Sequence, residues 1–173
     1  MKIGILTQPL HYNYGGLIQA YALQKVLKDM GHEVYTVDLP FRKTFYKKLR
    51  RMGSRLFHKY LLGKKELHVF NNQPKNKEQK VIEQHTRKFI NENITLTEHI
   101  SLVEKINRLK KYKFNAYIVG SDQVWRPMYS PGLSTFFLDF TKNGNNIKRI
   151  AYAASFGTDK WEMNTTQTKK NAK

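Results

Sequence analysis

KIGILTQPLHYNYGGLIQAYALQKVLKDMGHEVYTVD, residues 2–38, is the stretch whose reading decides the fold class. Residues 3–7 are a short apolar run of the kind that forms a strand buried on both faces. From 17 to 30, Leu17, Ile18, Tyr21, Ala22, Val26, Leu27 and Met30 recur near a 3.6-residue period, and Gly31 follows as a left-handed terminator. Residues 33–38, EVYTVD, form a second strand closed by Pro40. Strand, crossover helix and strand in so short a span define a βαβ unit with parallel strands.

Further along the chain, 114–120 (FNAYIVG) and 148–154 (KRIAYAA) read as a third and a fourth strand. Helices are expected over 78–91 and from Ser101 to about Lys111, the latter opened by a capping box of Ser101 and Glu104. Alternating strands and helices predict an α/β fold with a Rossmann-like parallel sheet. The 173 residues suit one domain. Residues 42–65 break the pattern: ten Lys or Arg and no acidic residue, with Tyr46, Leu49, Leu56, Phe57, Tyr60 and Leu61 interleaved. A basic amphipathic helical excursion over about 42–75 is expected there, either as a solvated face or as a surface for acidic lipid or polymer.

Composition narrows the chemistry. Thirty-one Lys and Arg against 13 Asp and Glu give a net charge of +18, a field that favours anionic partners. Absence of cysteine excludes disulfides, thiolate zinc sites and a cysteine nucleophile. The six histidines include no i, i+4 pair, so no zincin-type metal site is expected. Nucleic acid is a disfavoured partner, because no RNP, KH, zinc-finger or helix-turn-helix signature accompanies the charge. No apolar run has the length of a secretory signal or a membrane span, so a cytoplasmic protein is expected, with peripheral contact at the inner face of the membrane.

In an open parallel sheet, ligands bind beyond the carboxyl ends of the strands. Three turns leave from that edge. The first, Asn13-Tyr14-Gly15-Gly16, either cradles an anion on backbone amides at a helix start or is a corner needing positive φ; this motif alone leaves both open. In the second, Gly120-Ser121-Asp122-Gln123-Val124-Trp125, Asp122 can orient or deprotonate a hydroxyl and Ser121 can bond a phosphate or sugar. The competing reading has Ser121 and Asp122 capping the next helix and Trp125 packed in the core, and for Trp125 packing is favoured. The third is Ser155-Phe156-Gly157-Thr158. Asp38 stands where dinucleotide folds place a ribose-binding acid, but without an upstream GxGxxG that role is disfavoured.

Taken together, KIGILT, NYGGLIQAYALQ, YIVGSDQVWRP, FFLDF and RIAYAASFG resemble the N-terminal half of the polysaccharide pyruvyl transferase family, over residues 1 to about 168. The resemblance implies one half of a two-domain glycosyltransferase B-type architecture. It also implies transfer of pyruvate from phosphoenolpyruvate, as donor substrate rather than cofactor, to a sugar of a cell-surface polysaccharide as a ketal. Members usually carry a second half that supplies His and Arg groups for phosphoenolpyruvate, so a truncated, inactive N-terminal portion is expected. From the resemblance, this chain supplies the acceptor-side loops around Asn13, Gly15, Ser121, Asp122 and Gln123; with the turns at the sheet edge, the candidate substrate-binding residues are Asn13, Tyr14, Gly15, Gly16, Gln19, Gly120, Ser121, Gln123 and Ser155, and Asp122 is the candidate catalytic group. Many members carry an acidic residue after Asn-x-Gly; this chain has Gly16 there. Implied partners are a small-molecule or lipid-linked sugar acceptor, a separate C-terminal half and an acidic membrane surface. The alternative is a noncatalytic module for a sugar nucleotide or another anionic ligand.

Overall fold

The computed structural model describes residues 1–11, 13–39, 76–101, 103–126, 129–130, 132–142 and 146–159. The basic segment 42–65 lies outside the described residues. The chain divides into two compact units, Met1–Phe41 with Gln84–Lys173, and Arg42–Glu83. The sheet belongs to the first of these.

Four strands form one all-parallel sheet: β1 (Lys2–Leu6), β2 (Glu33–Thr36), β3 (Ala116–Asp122) and β4 (Lys148–Ala154), in the order β2-β1-β3-β4. The βαβ unit forms as its apolar periods dictate. Helix α1 (Tyr14–Asp29) links β1 to β2, and Gly31 takes φ 82°, the left-handed conformation that ends a helix without a Cβ clash. Alternate residues of the sheet serve opposite faces. Ile3, Ile5, Val34, Ala116 and Ile118 pack with Leu23 and Leu27 of α1. Leu6, Tyr117 and Val119 pack on the other face with Ile106, Leu109 and Phe136. This two-sided burial is why β1 reads as a continuous apolar run.

Helix α2 (Asn76–Asn93) runs two residues further at each end than expected and puts Ile90, with Ile94 just beyond it, against Leu17 and Ala20 of α1. Gln24 of α1 is fully buried and fully bonded. Its amide nitrogen donates to Thr36 Oγ1 and to the Thr95 carbonyl, each at 2.9 Å, and its oxygen accepts from Thr95 N at 2.8 Å. The stretch after α2 thereby docks beside β2, where Leu96 makes a parallel bridge to Thr36.

Three further differences from the sequence reading bear on the elements around the site. Helix α1 starts at Tyr14 rather than Leu17. Asn13 caps it, its side chain accepting from Gly16 N at 3.3 Å, and Gly15 and Gly16 lie inside the first turn with ordinary φ. The corner with positive φ is therefore absent; a good N-cap outweighs glycine's poor helix propensity in a turn whose amides need no helical acceptors. Second, Val103–Tyr112 is a 3₁₀ helix, not an α-helix. Its apolar residues at 103, 106, 109 and 112 recur every third position, the period that lines up on one side of a 3₁₀ helix, and Ile106 and Leu109 are buried. Third, β3 continues through Ser121 and Asp122, so the turn begins after them rather than at Gly120.

Candidate active site at the carboxyl edge of the sheet

With the order β2-β1-β3-β4, the chain leaves β1 toward β2 on one side and returns past it to β3 on the other. The gap beyond the carboxyl ends of β1 and β3 is the topological switch point, where open parallel sheets bind ligands. Leu6 pairs with Val119 and Ile5 with Thr36. Continuing that register sets Thr7 beside Gly120 on one flank and beside Asp38 on the other, with Gln8 beside Ser121.

The end of β3 is built on unusual backbone. Gly120 has φ 130°, and a Cβ there would collide with the Tyr152 carbonyl oxygen, so only glycine fits. Asp122 takes the left-handed conformation at φ 71°. For a residue with a side chain that costs about 1 kcal/mol or more, and Asp is among the few that tolerate it. Its carbonyl accepts from Val124 N at 2.8 Å and from Ser155 N at 2.9 Å, while Trp125 N donates to the Ser155 carbonyl at 3.1 Å. These bonds lock the exit of β4 to the turn after β3. Among the described residues nothing donates to the Asp122 carboxylate, which is half-buried.

Other side chains have settled roles. Gln123 Oε1 accepts from Arg126 Nη1 at 2.8 Å, and the Arg126 guanidinium lies 4.9 Å from the Tyr129 ring centroid. Gly157, at φ 65°, lies so close to Gln123 that a Cβ would strike its side chain. Trp125 stacks on Phe137, with centroids 5.4 Å apart and planes 7° apart, and Nε1 donates to the Phe136 carbonyl at 3.0 Å. It packs as the favoured reading had it. Ser121 and Asp122 cap no helix, since the next helical turn is Leu133–Phe136.

Gly120, Ser121, Asp122 and Gln123 thus follow one another at the β3 exit, and the bond from Ser155 N to the Asp122 carbonyl brings Ser155 beside them. Asn13, Tyr14, Gly15, Gly16 and Gln19 lie on and before the first turns of α1, and the Asn13 side chain is committed to its cap. Sheet topology, rather than a hydrogen bond, sets α1's start at the same edge.

Sequence reasoning missed Gln8. It directly follows the β1 exit, and its Nε2 is buried with no partner among the described residues. An unpaired buried donor is costly unless something accepts from it. Its only signal in the sequence was its position just past the strand, at the switch point. Asp38, two residues beyond β2, is bonded to His99, Nδ1 to Oδ2 at 3.0 Å. Among the described residues no three His, Asp or Glu side chains lie close enough to hold a metal ion, and no helix is long and apolar enough to cross a membrane.

A parallel α/β sheet with a glycine-and-acid loop at its switch point makes the carboxyl edge the candidate ligand site of this domain. A model of the family described as polysaccharide pyruvyl transferase matches residues 13–172. The chain belongs to that family. No curated protein and no solved structure matches it.

Proposed function

We propose that this chain forms the acceptor wall of a pyruvyl transferase, in a half resembling those of glycosyltransferase B-type enzymes, and that the reaction builds a pyruvate ketal on a sugar carried by a small molecule or a lipid. The observation that supports it most is the Asp122 carboxylate, held at φ 71° beside a glycine-only position and free of donors among the described residues. A strained, unpaired acid at a switch point is poised for a ligand rather than for stability.

The chemistry assigns the parts. Phosphoenolpyruvate, the donor, gains a proton at its methylene carbon and becomes electrophilic at the adjacent carbon. One sugar hydroxyl attacks there; a second closes the ring as the C–O bond to phosphate breaks. Two hydroxyl protons are released: one balances the new methyl group and the other leaves with phosphate. Asp122 takes a proton from an attacking hydroxyl. Gln8 donates its buried amide to a sugar oxygen, Ser121 bonds a neighbouring hydroxyl, and Gly120 lets the ring approach the backbone. The net charge of +18 draws the anionic donor toward the domain.

Calorimetric titration of the 173-residue chain with UDP-galactose tests this. Saturable binding is expected, weakened about tenfold by Asp122→Asn, since Asn keeps the left-handed backbone but loses the charged acceptor. Equal affinity in the variant, or no saturable binding by the wild type, contradicts the assignment.

A further inference from the structure

Helix α1 is apolar on both sides. Leu17 and Ala20 are buried against α2, and Leu23 and Leu27 face the sheet. On the far side Tyr14, Ile18, Ala22 and Val26, with Met30 at the cap, recur every fourth residue as one row. Ala22 stands at the centre of that row, with Tyr14 and Met30 roughly 80° to either side of it around the helix. All five are exposed, the four larger ones to between 55% and 65%. A surface helix ordinarily sets polar side chains opposite its buried stripe. Here the charges interleaved with the row, Lys25 and Asp29, neutralise each other across 2.9 Å.

We propose that this row docks the chain on a bilayer of anionic lipid. Size and charge both choose lipid over a second copy of the chain. A stable protein interface takes roughly 20–30 residues a side, and one row of one helix falls well short of that. The net charge of +18 makes two copies repel and draws each of them to anionic headgroups. A bilayer asks for no more than a strip: an apolar helix face lies in the interface, sunk roughly 5–10 Å. Tyr14, at the margin of the row, suits the boundary, with its ring in apolar surroundings and its hydroxyl in water. The docking face stands on α1 and the charge alone. Its consequence for the acceptor rests on the pyruvyl-transfer reading. Because α1 starts at the carboxyl edge of the sheet, a bilayer along α1 runs beside the candidate site and presents a lipid-linked sugar to it.

The chain has no cysteine, so an Ile18→Cys variant carries a single environment-sensitive fluorophore at a known place. Vesicles of phosphatidylcholine and phosphatidylglycerol should shift its emission to the blue, and vesicles of phosphatidylcholine alone should not. The same label at Lys105→Cys, exposed on the 3₁₀ helix across the sheet from α1, should stay unshifted. In flotation of the full 173-residue chain, Ile18→Gln with Val26→Gln should lower partitioning about tenfold. The urea midpoint should hold, since both positions are exposed and Gln suits a helix. Absence of vesicle binding overturns the proposal. So does binding that leaves the Ile18 label unshifted or survives the double substitution, and so does a label that shifts with protein concentration alone, which puts a second copy on the row. UDP-galactose titration is read separately: its failure removes the lipid-linked acceptor and leaves the docking face standing.

Discussion

Tyr117 shows how a single residue couples the sheet to its surroundings. Its ring is 3% exposed and meets Phe114 and Phe140 edge-on, with centroids 5.3 and 5.0 Å away. Gly4 makes room for it, because a Cβ there would stand 3.0 Å from the ring. Burial pushes the phenol from 10.0 up to about 12. A folded pKa above the unfolded one contributes stability that is complete below about pH 10 and is lost as pH rises through the folded value. Urea midpoints should therefore fall between about pH 10 and 12, and Tyr117→Phe should flatten that fall. Some slope should persist, because the bond from Tyr35 to Glu33 raises the Tyr35 phenol in the same direction. Identical slopes in the two proteins contradict this account. At the same scale, Asp122 could be suspected from sequence as a polar residue after a buried strand. Its left-handed backbone could not, because that conformation depends on Ser155 and Val124 bonding its carbonyl. Gln8 was illegible for a related reason: only the fold shows that its amide is buried without an acceptor among the described residues.

Helix α1 carries the lesson for elements. Its apolar period fixed the helix and its end at Gly31, whereas its start moved three residues, from Leu17 to Tyr14. Paired glycines argue for a turn, yet Asn13 supplies both the capping oxygen and the carbonyl that receives Leu17 N at 3.0 Å. Asn13→Ala should cost about 1 kcal/mol of stability by urea denaturation, and a loss near zero would show that the cap is redundant. The helix expected from Ser101 to about Lys111 forms as a 3₁₀ helix at Val103–Tyr112, in keeping with its strict threefold apolar spacing. Where apolar runs met sharp end signals, as at β1 and β4, the strands fell within a residue of where the sequence put them.

Across the molecule, a parallel α/β sheet was legible because every strand is a short apolar run separated from the next by a helix or a long crossover. Strand order was not legible from those runs. It emerges from register, and register is what brings the ends of β1, β2 and β3 level and joins the end of β4 to the β3 turn. Strand β4 differs from the others. Residues Lys148 to Ala153 are exposed, Tyr152 to 54%, while its exit is bonded into the Asp122 loop. The most direct check of the carboxyl-edge assignment is a backbone amide shift map of the full chain during titration with UDP-galactose. The account predicts shifts concentrated at Gln8, at 120–123 and at Ser155. Shifts confined to the opposite edge of the sheet, around Met1, His32 and Asn115, would contradict it.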